Sequence, residues 1–174
     1  MDLTAAAFLA RSRYYLSEEY IVKIERALAP LPPGAIWRRD DEGSNSIGNL
    51  LVHLAGNVRQ WIVSGVGGAP DHRTRSTEFE AREGPDGAAL LAALREAIAD
   101  VDAVLSTLDD EALASRRTIQ GRDVSVLDAV YHVVEHFSMH TGQIIMLAKR
   151  HAPGRIRFYE DAGGLAIPRW RDPA

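Results

Sequence analysis

Residues 125 to 150, SVLDAVYHVVEHFSMHTGQIIMLAKR, constrain this chain more than any other stretch. They hold no proline, and no glycine before Gly142, over a length sufficient for about seven helical turns. Ser125 and Asp128 stand where a capping box needs them, each side chain bonding the other's backbone N–H. Lys149 and Arg150 suit a helix C-terminus, and Pro153 with Gly154 ends the helix. Ala129, Val133, His136, His140, Ile144 and Leu147 follow steps of three and four, so they share one stripe. Two imidazoles thus stand where an inward-facing helix normally carries Leu or Val. Any fold for this chain has to account for them.

Length and composition limit the alternatives. A chain of 174 residues, 46% hydrophobic and 25% charged, suits one soluble domain with a sizeable core. The net charge of −4 and the lack of a Lys/Arg block argue against nucleic acid or an anionic membrane as partner. No apolar run approaches the roughly 20 residues of a membrane span. The N-terminal MDLTAAAFLARSRYY has no basic segment before its short apolar run and reads as a helix of the mature domain. Cysteine is absent, which removes disulfides, thiolate ligands and Cys nucleophiles and fits a cytoplasmic protein. Thiol chemistry here requires a thiol brought in from outside.

Three further helices follow from periodicity. Residues 3 to 28 present Tyr14, Ile21, Ile24 and Leu28 on one face, and Pro30, Pro32 and Pro33 end that run. Trp37, in the loop beyond, is expected to cover one end of the core. Residues 46 to about 63 place Ile47, Leu54, Val58, Trp61 and Ile62 inward. His53 lies on a neighbouring stripe with Asn49, Gly56 and Asn57. Gly56 would admit a close helix neighbour, and either Asn could hydrogen-bond the imidazole. Residues 88 to 108 carry Leu91, Leu94, Ile98, Val101, Leu105 and Leu108 at heptad-like spacing, a purely structural pattern.

The connections are long. Residues 65 to 87 are rich in Gly, Pro and charge, with a short helical turn expected near Glu78 to Glu83 and His72 in solvent. A small turn is expected around Gly121. The tail after Gly154 contains Ile156, Phe158, Leu165, Ile167 and Trp170, too apolar to hang free, and should pack on the bundle or on a second subunit. The reading is an all-α four-helix bundle over residues 1–154 with a packed tail over 155–174. Connections of this length leave crossover topologies open, including up-down-down-up.

His136 and His140, four residues apart, bring two rings to one helix face, near enough to chelate one ion. Neutral imidazole suits Zn, Ni, Fe and Cu, and three protein ligands with an open position is the catalytic pattern. His53 is the best third ligand, being the only other histidine on an expected bundle helix outside the fourth. His132 also precedes His136 by four, and the two pairs lie about 40° to either side of His136. Helix geometry alone leaves both pairs open. The HEXXH protease pattern is absent.

The run His136-Phe-Ser-Met-His140-Thr-Gly142-Gln143 resembles the HxxxHxGQ signature of the DinB-like family of metal-binding four-helix bundles. Residues 46 to 54, SIGNLLVHL, are similar to that family's second helix, whose histidine supplies a third ligand. By position the resemblance implies His53, His136 and His140 as metal ligands, with His132 outside the set and Gln143 beside it. It implies an up-down-down-up bundle, often a homodimer, holding a divalent transition metal such as Zn or Ni. The family includes thiol S-transferases dependent on bacillithiol or mycothiol, so a metal-dependent transferase using a low-molecular-weight thiol on a small-molecule substrate is one expectation. A metal-dependent hydrolase, a non-catalytic metal bundle and a dimeric interaction module are the others.

Overall fold

In the computed structural model, which describes residues 3–171, four long helical runs surround one apolar core. The first is α1 (Leu3–Tyr14), a π-helical turn (Tyr15–Tyr20) and α2 (Ile21–Leu28), continuous in direction. The second is α3 (Ile47–Val58), prolonged by another π-helical turn (Arg59–Ser64). A short α4 (Arg75–Glu80) lies in the connection to α5 (Gly87–Leu105). One turn, α6 (Asp110–Ala114), and a hairpin of β1 (Arg116–Ile119) and β2 (Arg122–Ser125) lead to α7 (Val126–His151). A second hairpin, β3 (Tyr159–Ala162) with β4 (Leu165–Pro168), occupies the tail. The fold is all-α, and no helix among the described residues is long and apolar enough to cross a membrane.

Each bundle helix after the first begins on a side-chain cap. Ser46 with Asn49, and Ser125 with Asp128, form capping boxes at α3 and α7, and Asp86 accepts from the Ala89 N–H at α5. These caps satisfy backbone donors that a buried helix start would otherwise leave unpaired. α3 is the central element, packing on both α5 and α7. Leu90, Leu94, Ile98, Val101 and Leu105 of α5 and Val133, Phe137 and Ile144 of α7 are buried in the shared core. A bidentate Arg13–Asp102 pair, at 2.6 and 2.8 Å, ties α1 to α5.

The long connection after α3 is fastened rather than loose. Trp37 lies so close over Gly48 and Gly84 that a Cβ on either would fall 2.7 Å from its ring, and its indole donates to the Pro85 carbonyl. The expected covering role of Trp37 is thereby given a definite surface. Arg39 and the Asn49 amide reach into the turn after α4, donating to the carbonyls of Phe79 and Ala81 and of Glu78 and Ala81 respectively. Asn49 is therefore engaged in capping and loop fastening; it does not bond the His53 ring as one sequence expectation had it.

The tail divides. Ile156, Phe158 and Trp170 are buried against the bundle, while Leu165 and Ile167, expected to be covered, are 72% and 38% exposed on the second hairpin. The reason is the Gly163-Gly164 turn, both residues at positive φ, which folds the strand back before these side chains reach the core.

Candidate metal centre

α3 supplies one imidazole and α7 two to a single cluster. His53 and His140 are buried and His136 is half-buried. Ring centroids are 4.4 Å apart for His136 and His140, 4.9 Å for His53 and His140, and 5.1 Å for His53 and His136. One nitrogen from each ring lies within 4.8 Å of the other two, a set that could hold a metal ion. The His53 and His136 Nε2 atoms are 2.9 Å apart, a hydrogen-bonding separation. Two imidazoles on one tetrahedral ion stand about 3.3 Å apart, so the pair needs to open by only a few tenths of an ångström.

The other nitrogens are turned away and occupied. The His140 Nδ1 meets the Gln143 Oε1 at 2.7 Å, which leaves Nε2 for the cluster. The His53 Nδ1 meets the Glu78 Oε2 at 2.8 Å. Glu78 in turn takes two bonds from Arg73, Nε to Oε1 at 2.6 Å and Nη2 to Oε2 at 2.8 Å. A carboxylate or carbonyl oxygen behind a metal-facing imidazole is the arrangement that fixes ring orientation and tautomer in metal sites. Phe79 closes the same side, its ring centroid 4.7 Å from that of His53.

Electrostatics favour neutral rings. Burial first, then the neighbouring His140 and His53, pushes His136 down to about 3. Burial also lowers His140 against the opposing pull of Gln143, and it lowers His132. Neutral imidazole is the ligating form, so proton competition expected near pH 6.5 from free imidazole shifts to more acid conditions. Burial alone would raise the Glu78 carboxyl, but bonds from Arg73 and His53 outweigh it and hold the group ionised.

The remaining histidines fall outside the cluster. His132 rests against the Trp61 indole at 4.1 Å between centroids and stands 5.3 Å from His136. His72 is exposed. The Asn57 Oδ1 is buried without a hydrogen-bond partner and does not reach an imidazole.

Glu78 and Arg73 are the functional candidates that sequence reasoning passed over. They lie five apart in a connection without periodicity, and only Gly56 hinted at them. A Cβ on Gly56 would fall 2.3 Å from the Glu78 Oε1 and 2.9 Å from the Arg73 Nε. The close neighbour admitted by that glycine is an ion pair, its carboxylate carried by the short α4.

This fold and its cluster define a class, the DinB-like helical bundles. A crystal structure of a DinB-like protein from Bacillus subtilis has the same fold, with TM-score 0.63 and 16% identity over 87% of this chain and 99% of that one. The chain belongs to the DinB-like family described as "Protein of unknown function (DUF1572)", whose profile matches residues 4–159. No protein of curated function matches the sequence.

Proposed function

We propose that this chain binds one divalent transition metal, Zn or Ni by ligand chemistry, through His53, His136 and His140. The observation that carries the reading is the meeting of three imidazoles from two helices, with the outward nitrogens of His53 and His140 engaged by Glu78 and Gln143. Three neutral ligands leave a coordination position open and the net charge of the ion uncompensated, which suits an anionic fourth ligand.

The finer proposal is a metal-dependent transferase using a low-molecular-weight thiol. A divalent ion held there supplies Lewis acidity that favours the thiolate near neutral pH. The chain's own part is to orient the three rings and to hold His136 and His140 neutral, with Phe79 lying against the His53 ring. A non-catalytic metal site is the second reading. It requires no ligand-sized cleft beside the ion, and cavities of about 520, 490, 540 and 410 Å³ elsewhere on the bundle have no imidazole of the trio in their walls.

Metal titration of the purified protein tests the first claim. One equivalent of Zn²⁺ should bind, and His53→Ala, His136→Ala and His140→Ala should each lose stoichiometric binding, while His72→Ala keeps it. A His53→Ala protein that still binds a full equivalent would sink the site. Adding a cysteine-derived thiol to the Co²⁺-loaded protein should produce sulfur-to-metal charge-transfer absorption; without it the thiol reading goes and the non-catalytic one stands.

A further inference from the structure

We infer that Glu78, clamped by Arg73 against Gly56, is the positioning residue that sets the tautomer and aim of His53, making the connection between α3 and α5 a working part of the metal site. The inference rests on the proposed metal reading and deepens it.

A carboxylate is an acceptor only, so the 2.8 Å contact between the Glu78 Oε2 and the His53 Nδ1 places the ring proton on Nδ1. The lone pair is then on Nε2, the atom facing His136. The Arg73 Nη2 also lies 3.1 Å from the His53 Nδ1. Nη2 carries two hydrogens: one serves the charged Glu78 Oε2 at 2.8 Å, and the longer approach of the other to Nδ1 is the weaker competitor for that ring nitrogen. Glu78 cannot turn away. Both Arg73 and Glu78 side chains are 5% exposed, and Arg73 holds both carboxylate oxygens in a bidentate grip. Arg73 is held in its turn by the Gln60 Oε1 at 2.9 Å, and Gln60 by Asp71 and by Gln120 at the tip of the first hairpin. The chain thus spends a buried ion pair, a glycine in mid-helix and two loops on the orientation of one ring. A merely structural buried pair has no need of the imidazole, and a histidine that only filled space would not need its proton fixed.

The test combines Zn²⁺ affinity with ¹⁵N ring shifts of His53, which report directly which nitrogen carries the proton. In the metal-free wild type, His53 should be the Nδ1–H tautomer. Glu78→Ala should mix the tautomers and weaken Zn²⁺ binding by about 10–100-fold, the range for loss of a carboxylate behind a ligating histidine. Glu78→Gln, whose Oε1 can still accept from Nδ1–H, should recover part of both. Gly56→Ala, which displaces the carboxylate without removing it, should resemble Glu78→Ala and serves if that variant fails to fold. An unchanged tautomer and an affinity within twofold of wild type in Glu78→Ala or Gly56→Ala would overturn the inference. A wild type that binds no Zn²⁺ would instead overturn the metal reading, and the ring shifts of the metal-free proteins would still decide the role of Glu78.

Discussion

α5 and α7 pack against the same central helix, yet they present it with different chemistry. From α5, Leu90, Leu94, Ala97, Ile98, Val101 and Leu105 give an unbroken apolar face. From α7, the equivalent stripe runs Ala129, Val133, His136, His140, Ile144 and interrupts burial with two rings. α5 is held by area removed from water, about 1.5–3 kcal/mol for each fully buried large side chain. α7 forgoes part of that where the imidazoles stand, and each ring facing the interior has to find a polar partner. Those partners come from beyond the stripe, from Gln143 one turn on and, for the facing His53, from a separate connection. A structural face is complete in itself, whereas a ligand face is completed by residues elsewhere.

The comparison breaks most sharply at Leu94, which is fully buried. Leu94→Ala should cost about 2–5 kcal/mol, by lost burial and the cavity left behind. Its Zn²⁺ affinity should stay within twofold of wild type, since α5 lends nothing to the cluster. Urea denaturation and metal titration of the same sample measure both. A Leu94→Ala protein that keeps its stability but loses its metal would mean that the two faces do not divide the work.

A smaller effect sharpens the other side. His136 is pushed down to about 3 in the folded protein, against about 6.5 unfolded. Between those values the unfolded chain binds more protons, so folding stability rises with pH there and is lost as pH falls below about 6.5. Burial moves His140 and His132 in the same direction, adding to the slope. His136→Leu, which makes the α7 stripe resemble α5, should give a metal-free protein whose melting temperature falls less steeply from pH 6.5 to 4.5. An identical slope in the variant would show that His136 is not held neutral.

The same contrast explains what could be read from the sequence. Helix periodicity and i, i+4 spacing put His136 on one face with His140 and equally with His132, and His53 was a single histidine on a mostly apolar helix. The structure brings His53, His136 and His140 together. Glu78 and Arg73 escaped because a six-residue helix and the loop before it are too short to show a period, so nothing in the order of residues says which carboxylate turns inward. Asn49 was misplaced for a different reason: Ser46-x-x-Asn49 is a capping signature, and the cap took the side chain that proximity to His53 seemed to offer. The two π-helical turns left no mark in composition. The Gly163-Gly164 pair between two short β-prone runs was a hairpin signal, and reading it would have placed Leu165 and Ile167 outside the core.

That hairpin gives the smallest expected effect and the last comparison. Phe158 enters the core at 7% exposure, whereas Leu165 and Ile167 stand out on the hairpin face they share with Ala162 and Glu160. If water covers that face in solution, Leu165→Ser with Ile167→Ser should shift stability by no more than about 0.5 kcal/mol, as surface substitutions do. Phe158→Ala should cost about 3–5 kcal/mol, as buried aromatics do. A homodimer built through the tail reverses the first expectation. The double variant would then lose stability in a concentration-dependent way, because partner binding contributes to the apparent stability of the chain. Sedimentation of wild type and double variant at two protein concentrations separates the cases. A concentration-dependent loss in the variant would assign the hairpin to an interface, and with it the side chains that the isolated bundle leaves in water.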